Sequence, residues 1–248
     1  MTSPTSVLLY GAGREARSSS HFLKKQFPGT EIRVFVDEGR ADVPGATQIP
    51  VRQFHQDIAD RRYSMIVRSP GVSIYKPELQ LAARHGIPIT TNLNLWTRYR
   101  RADSKVIAIT GTKGKSTTAK LVHTILKEAG YDSALAGNIG VPVLDLTPHE
   151  WVVLELSSFQ CADMKLDPDI VGITCLFPEH LDWHGDEQHY FNDKLKILRR
   201  HSPYRCALSP QIASLDLIPQ PPCDLVDKLP HPTPAFRAEL TRTVAGSA

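Results

Sequence analysis

The stretch Val106-Ile107-Ala108-Ile109-Thr110-Gly111-Thr112-Lys113-Gly114-Lys115-Ser116-Thr117 decides the reading of this chain. Its opening residues are an apolar run of strand character. The residues from Ser116 to about Ala129 carry helical spacing, with Leu121, Ile125 and Leu126 on one face. Gly130 stops that helix. Glycines between the two let backbone N–H groups turn inward onto phosphate oxygens, and the helix N-terminus adds the positive end of its dipole. Lys115 can reach terminal phosphates, and the hydroxyl of Ser116 or Thr117 can ligate Mg²⁺. Gly111, Thr112, Lys113, Gly114, Lys115, Ser116 and Thr117 are therefore the candidate ATP-binding residues. An accidental glycine–lysine turn would not bring strand, hydroxyls and helix into register. The common pattern G-x-x-x-x-G-K-[ST] needs glycine at position 109. Ile109 stands there, so the loop is a shortened variant.

Outward from this loop, strand-like and helix-like segments alternate, which predicts parallel sheets covered by helices. In the second half, Trp151 to Leu154 ends in Glu155, Ile170 to Thr174 is a further strand, and Phe191 to about Arg200 reads as a helix. In the first half, Val7 to Tyr10 runs into Gly11-Ala12-Gly13, followed by a helix from Arg14 to about Gln26. Strands follow at Ile32 to Val36, Met65 to Val67 and Ile87 to Thr90, with a helix from Pro77 to about His85. The fold class is α/β, with a Rossmann-like domain over residues 1–101 and a phosphate-loop-type central domain over 102–202. The basic stretch Arg98 to Arg101 is the linker. Residues 203–248 hold eight of the 19 prolines and show no periodicity.

Gly11-Ala12-Gly13-Arg14-Glu15-Ala16 matches G-x-G-x-x-[G/A] after a strand, with Asp37 ending the next one. Alone, this reads as a dinucleotide site of an NAD-linked oxidoreductase. Bulk properties exclude other classes. The net charge of +3 over 248 residues gives no warrant for a nucleic-acid or membrane partner. No apolar run approaches the roughly 20 residues of a membrane span, and no signal peptide is expected before Val7. The four cysteines lack C-x-x-C spacing and read as reduced thiols of a cytoplasmic protein. His184 and His189 with Asp182 and Asp186 match no zinc spacing and read as a solvated loop. Trp151 and Trp183 read as packing residues.

Four motifs in order carry a resemblance: Gly111 to Thr117, Gly137-Asn138-Ile139-Gly140, Glu155-Leu156-Ser157-Ser158-Phe159-Gln160 and Glu179-His180-Leu181-Asp182. Together they resemble the Mur ligases, most of all the members that add glutamate to UDP-N-acetylmuramoyl-L-alanine. The resemblance implies an ATP- and Mg²⁺-dependent enzyme that phosphorylates a carboxylate and lets an amine displace the phosphate. It implies catalytic roles for Lys115, Glu155, His180 and Lys194, with Ser116, Glu155, His180 and Lys194 around the metal. Imidazole is an unusual partner for so hard a cation, which favours Glu155 over His180. Lys194 follows Tyr190 at the spacing of a carbamylated family lysine, although periodicity alone does not separate it from Lys196. The resemblance also assigns the UDP-linked substrate to Gly13, Arg14, Asp37, Ser69, Gly71, Asn138 and Ser158, and so competes with the NAD reading. It implies a monomer.

Two departures stand out. Lys113 occupies a position where asparagine is common in the family. The family also continues well past this chain, so the resemblance implies an incomplete ATPase domain and a missing C-terminal domain. The 248-residue chain is then expected to bind ligands weakly and turn over little. A ligase using L-glutamate or another acceptor, folylpolyglutamate synthesis, and a non-catalytic nucleotide-binding remnant are the competing readings. The glycine-rich N-terminal unit argues against the folate version.

Overall fold

A computed structural model describes residues 3–198, 205–208 and 212. Two five-stranded sheets, parallel throughout, form its frame. The first has strands β1 (Ser6–Tyr10), β2 (Glu31–Phe35), β3 (Thr47–Gln48), β4 (Met65–Arg68) and β5 (Ile89–Thr90), in the order β3-β2-β1-β4-β5. The second has β6 (Lys105–Thr110), β7 (Ser133–Gly137), β8 (Trp151–Glu155), β9 (Ile170–Ile173) and β10 (Arg205–Leu208), in the order β10-β9-β6-β8-β7. Helices α1 (Arg14–Gln26), α2 (Val51–Ala59), α3 (Pro77–Arg84), α4 (Asn92–Tyr99), α5 (Lys115–Glu128), α6 (Ser158–Cys161), α7 (Leu181–His184) and α8 (Glu187–Leu195) connect them.

In a parallel sheet the strand order reverses around a central strand, and the crevice at the carboxyl ends beside it takes the ligand. In the first sheet that strand is β1, whose exit loop Gly11–Gly13 faces the exit of β4 at Ser69–Gly71. In the second it is β6, whose exit is the phosphate loop. That loop lies between Glu155 at the end of β8 and Thr174 just past β9.

The sheets share one core. Val7, Leu9, Phe22, Leu23 and Trp96 belong to the same buried cluster as Val106, Ala108, Val152, Leu154 and Leu166. Helix α4 supplies part of it, burying Leu93, Leu95 and Trp96. Its N-cap is Thr91, whose hydroxyl accepts from the Asn94 N–H at 3.2 Å. The stretch expected to be a bare linker is thus entered by a packed helix running to Tyr99, and Arg101 beyond it pairs with Asp169 at 3.2 Å. The guanidinium of Arg68, wholly buried at the end of β4, ties the units together. It makes a two-point bond to Asp163 at 2.7 and 3.0 Å. It also donates to the carbonyls of Ser69, Pro70, Val72 and Phe159.

Several expectations need correction. The second sheet runs past residue 202, because β10 pairs with β9, so a boundary there cuts a strand from its sheet. The rest of the proline-rich segment lies outside the described residues. Helix α8 begins at Glu187 rather than Phe191, because Asp186 caps it by accepting the His189 N–H at 2.7 Å. On α5 the buried face is Ala119 with Val122 and Leu126 against Ile107, Ile109 and Val153, while Ile125 is 51% exposed. Cys161 and Cys175 are free, whereas Cys206 is disulfide-bonded rather than reduced.

Candidate active site

The phosphate loop is held open by its glycines. Gly111 has φ +137° and lies so close to Thr174 that a Cβ would overlap the Thr174 hydroxyl. Gly114 has φ +81° and occupies the left-handed position immediately before α5. Lys115 folds back to donate to the Thr112 carbonyl at 2.8 Å. Lys113 instead leans outward and pairs with Glu179 at 2.7 Å.

Beneath the loop is a short polar run. Ser116 Oγ donates to Glu155 Oε2 at 3.0 Å, and Asn138 Nδ2 donates to Glu155 Oε1 at 3.1 Å. Glu155 is 1% exposed, and the Asn138 N–H also bonds its backbone carbonyl at 2.9 Å. Carboxylate and hydroxyl oxygens side by side suit a hard divalent cation, so Ser116 and Glu155 fit Mg²⁺. His180 does not join them. It caps α7 in a left-handed conformation, with a half-exposed ring tilted against Phe159 and 4.0 Å from Glu179.

Lys194 is buried against the other side of the loop. Its Nζ donates to the Gly111 carbonyl at 2.6 Å and lies 5.0 Å over the Tyr190 ring. Burial lowers its pKa to about 8, the nearby Lys115 charge adding a smaller push in the same direction. A neutral amine is therefore accessible near physiological pH. Lys196, which the periodicity did not distinguish, instead bonds Asp193 and the Ala162 carbonyl. The Tyr190 hydroxyl meets Thr112 Oγ1 at 2.8 Å, which explains the tyrosine four residues upstream.

A cleft of about 350 Å³ opens between the sheets. It is lined by Gly11 to Glu15, Ser69 to Val72, Gly137 and Asn138. Arg14 spans it, donating to the carbonyls of Gly140 at 2.9 Å and Asn138 at 3.1 Å. Gly13, Arg14, Ser69, Gly71 and Asn138 thus line one cleft. Asp37 lies outside this lining, accepting from the Tyr10 hydroxyl at 2.8 Å and from Lys76 at 3.1 Å. Ser158 is also elsewhere, 3% exposed and bonded to His184 Nε2 at 3.0 Å. The other nitrogen of His184 meets Asp193 Oδ2 at 2.8 Å, and Tyr75 donates to the same carboxylate at 3.0 Å.

That Ser158–His184–Asp193 order resembles a nucleophilic relay, but all three are buried and a substrate has no approach. It is a packed polar network, not the solvated loop expected around His184. Among the described residues no cluster of three metal-ligating side chains occurs. Ser157, passed over for its neighbour, is the partly exposed serine and caps α6 in a reciprocal bond with Gln160. Arg68 was also missed. Its one signal was a charge ending an apolar strand.

Residues 109–212 match the model of the Mur ligase middle domain. A UDP-N-acetylmuramoyl-L-alanine--L-glutamate ligase of Xanthomonas axonopodis pv. citri (strain 306) is 38% identical over 229 residues, which cover 85% of this chain and 49% of that protein. The chain belongs to the Mur ligase family. A ligase of the same name from Salinispora tropica is 38% identical over 206 residues, covering 79% of this chain and 44% of that one. This Mur ligase chain spans about half the length of the curated relatives it matches. Its fold is that of the UDP-N-acetylmuramate:L-alanyl-gamma-D-glutamyl-meso-diaminopimelate ligase from Neisseria meningitides. That structure is 13% identical, with a TM-score of 0.53 over 89% of this chain and 77% of that one.

Proposed function

We propose that this chain carries the ATP site and the UDP-substrate site of a cytoplasmic, monomeric ligase that joins L-glutamate to UDP-N-acetylmuramoyl-L-alanine. The observation that supports it most is the run Ser116–Glu155–Asn138, because Asn138 also lines the cleft. One residue thereby links the phosphate loop to the place where a UDP-linked substrate fits. The naming of both relatives for L-glutamate supports that acceptor over D-glutamate.

In this reading a substrate carboxylate oxygen attacks the γ-phosphorus of ATP and ADP leaves, giving an acyl phosphate. The glutamate amine then attacks the acyl carbon, inorganic phosphate departs, and the amine loses a proton to give the amide. Two anions must approach each other in the first step, so the protein's task is positioning and charge compensation. Lys115 and the N–H groups from Gly111 to Thr117 hold the ATP phosphates. Mg²⁺, held by Ser116 and Glu155, would offset the phosphate charge. Lys194, accessible as a neutral amine, is suited to take up CO₂ as a carbamate with release of a proton, which would place an anion beside Gly111 that could help offset a metal's charge. His180 stands at the rim, where it would act on the metal site only through a shift of its loop.

Calorimetric titration tests the reading. UDP-N-acetylmuramoyl-L-alanine is expected to bind and NAD⁺ is not. ATP is expected to bind more tightly with Mg²⁺ than without it, and Ser116→Ala is expected to remove that difference. Binding of NAD⁺ with no binding of the UDP substrate contradicts the assignment.

A further inference from the structure

Arg14, the first residue of α1, brings an exposed positive charge to the lining of the cleft. A guanidinium carries five N–H donors in a planar fork. One on each terminal nitrogen is engaged, to the Gly140 carbonyl at 2.9 Å and the Asn138 carbonyl at 3.1 Å. The others make no hydrogen bond to the described residues. Both carbonyls belong to the turn after β7, so a side chain of the first sheet grips a loop of the second.

That turn cannot shift without Glu155 responding. Gly137 sits so close to the end of β8 that a Cβ would overlap the Glu155 carbonyl oxygen. The Asn138 N–H bonds the same carbonyl at 2.9 Å, and Asn138 Nδ2 donates to Glu155 Oε1 at 3.1 Å. Glu155 Oε2 in turn accepts from Ser116 on the phosphate loop at 3.0 Å. Contacts therefore run without a break from the cleft to the loop, through Arg14, Asn138, Glu155 and Ser116. Such a contiguous network can carry a change at one end to the other. By holding Oε1, Asn138 leaves Oε2 turned toward Ser116.

We propose that Arg14 couples the cleft to the phosphate loop. The diphosphate of a UDP-linked substrate takes the unused N–H groups while the other two keep hold of the turn. This fixes an exposed side chain and, through Asn138, the orientation of Glu155. Filling the cleft thereby raises the affinity for Mg²⁺–ATP. The inference rests on the UDP-substrate reading of the cleft and adds to it a positioning residue and a direction of coupling. Charge alone predicts the opposite sign, because two anionic ligands in neighbouring sites repel each other.

The test is calorimetric titration of the 248-residue chain with the β,γ-imido analogue of ATP and Mg²⁺, alone and then with saturating UDP-N-acetylmuramoyl-L-alanine. The analogue resists phosphoryl transfer, so only binding is read. It is expected to bind roughly fivefold more tightly with the cleft filled, and the substrate to gain the same factor from the nucleotide, because coupling is reciprocal. Arg14→Lys keeps the positive charge but lacks the fork that holds two carbonyls and a diphosphate together. Its coupling factor is expected to fall to one or below, and that ratio is untouched by a uniform loss of either affinity. Nucleotide affinity that is unchanged or weaker with the cleft filled overturns the inference and leaves the cleft reading intact, and this arm needs no variant. A lysine variant that keeps the full factor also overturns it. Absence of substrate binding to the parent chain overturns both.

Discussion

At the scale of single residues, Glu155 and Glu15 show how environment divides two buried carboxyl groups. Glu155 receives donors on both oxygens, from Ser116 and Asn138. Glu15 receives one donor and faces burial with the other oxygen. Its folded pKa of about 7 exceeds the ordinary 4.5, so the folded state binds more protons than the unfolded chain between those values. Stability from this group is therefore full below pH 4.5 and is lost as pH rises through 7. Denaturant unfolding should show Glu15→Gln equal to the parent near pH 4.5 and more stable near pH 8, by on the order of 2–3 kcal/mol. Glu155→Ala strands two donors and removes the acidic oxygens. It should lower Mg²⁺–ATP affinity at least tenfold (about 1.4 kcal/mol) in the same titration that leaves metal-free ATP binding little changed.

Much of the site was legible at this scale because its parts are local: glycines beside a lysine and hydroxyls, or an acid at a strand end. What escaped reading joins distant positions. Glu15 and Gln160 are 145 residues apart, and Arg68 and Asp163 are 95 apart. No spacing rule connects such pairs, and only the docking of one sheet on the other creates them. Ser157 and Ser158 look alike in sequence, and only the helix cap separates the partly exposed one from the buried one.

At the scale of elements, the strands and helices with strong periodicity were read close to their true bounds, including α1 and β6. Those missed carry weak local signals. Strand β7 is Ser-Ala-Leu-Ala-Gly, with little β propensity, and exists because it pairs along β8. Helix α4 follows a short strand and its arginine-rich end resembles a loop, yet its apolar residues fill the space between the sheets. Helix α5 was recognised with its face only partly right, since Leu121 and Ile125 are as apolar as Val122 and Leu126, which pack against the sheet. Ile125→Ser should therefore change stability by less than about 0.5 kcal/mol, whereas Ala119→Leu, forced into a closed contact, should cost about 1–3 kcal/mol. Thermal unfolding of the two variants separates these outcomes.

At the scale of the whole molecule, the two sheets behave as one body through their common core and the Arg68–Asp163 pair. Asp163→Ala leaves a wholly buried guanidinium without its carboxylate and should cost about 3 kcal/mol. The double variant Arg68→Met/Asp163→Ala should recover part of that loss, because it removes the stranded charge. Chemical denaturation of the single and double variants gives the coupling. Docking the sheets is also what makes the site, since the phosphate loop comes from one and most of the cleft from the other.

The central claim is that the loop and the cleft are two parts of one ligase site, joined at Asn138. Hydrogen exchange measured on the chain with each ligand tests it most directly. UDP-N-acetylmuramoyl-L-alanine should slow exchange at residues 11–15, 69–72 and 137–138, and Mg²⁺–ATP should slow it at 111–117, with 138 responding to both. Protection by the UDP substrate confined to other surfaces, or a response at 138 to neither ligand, would contradict the account.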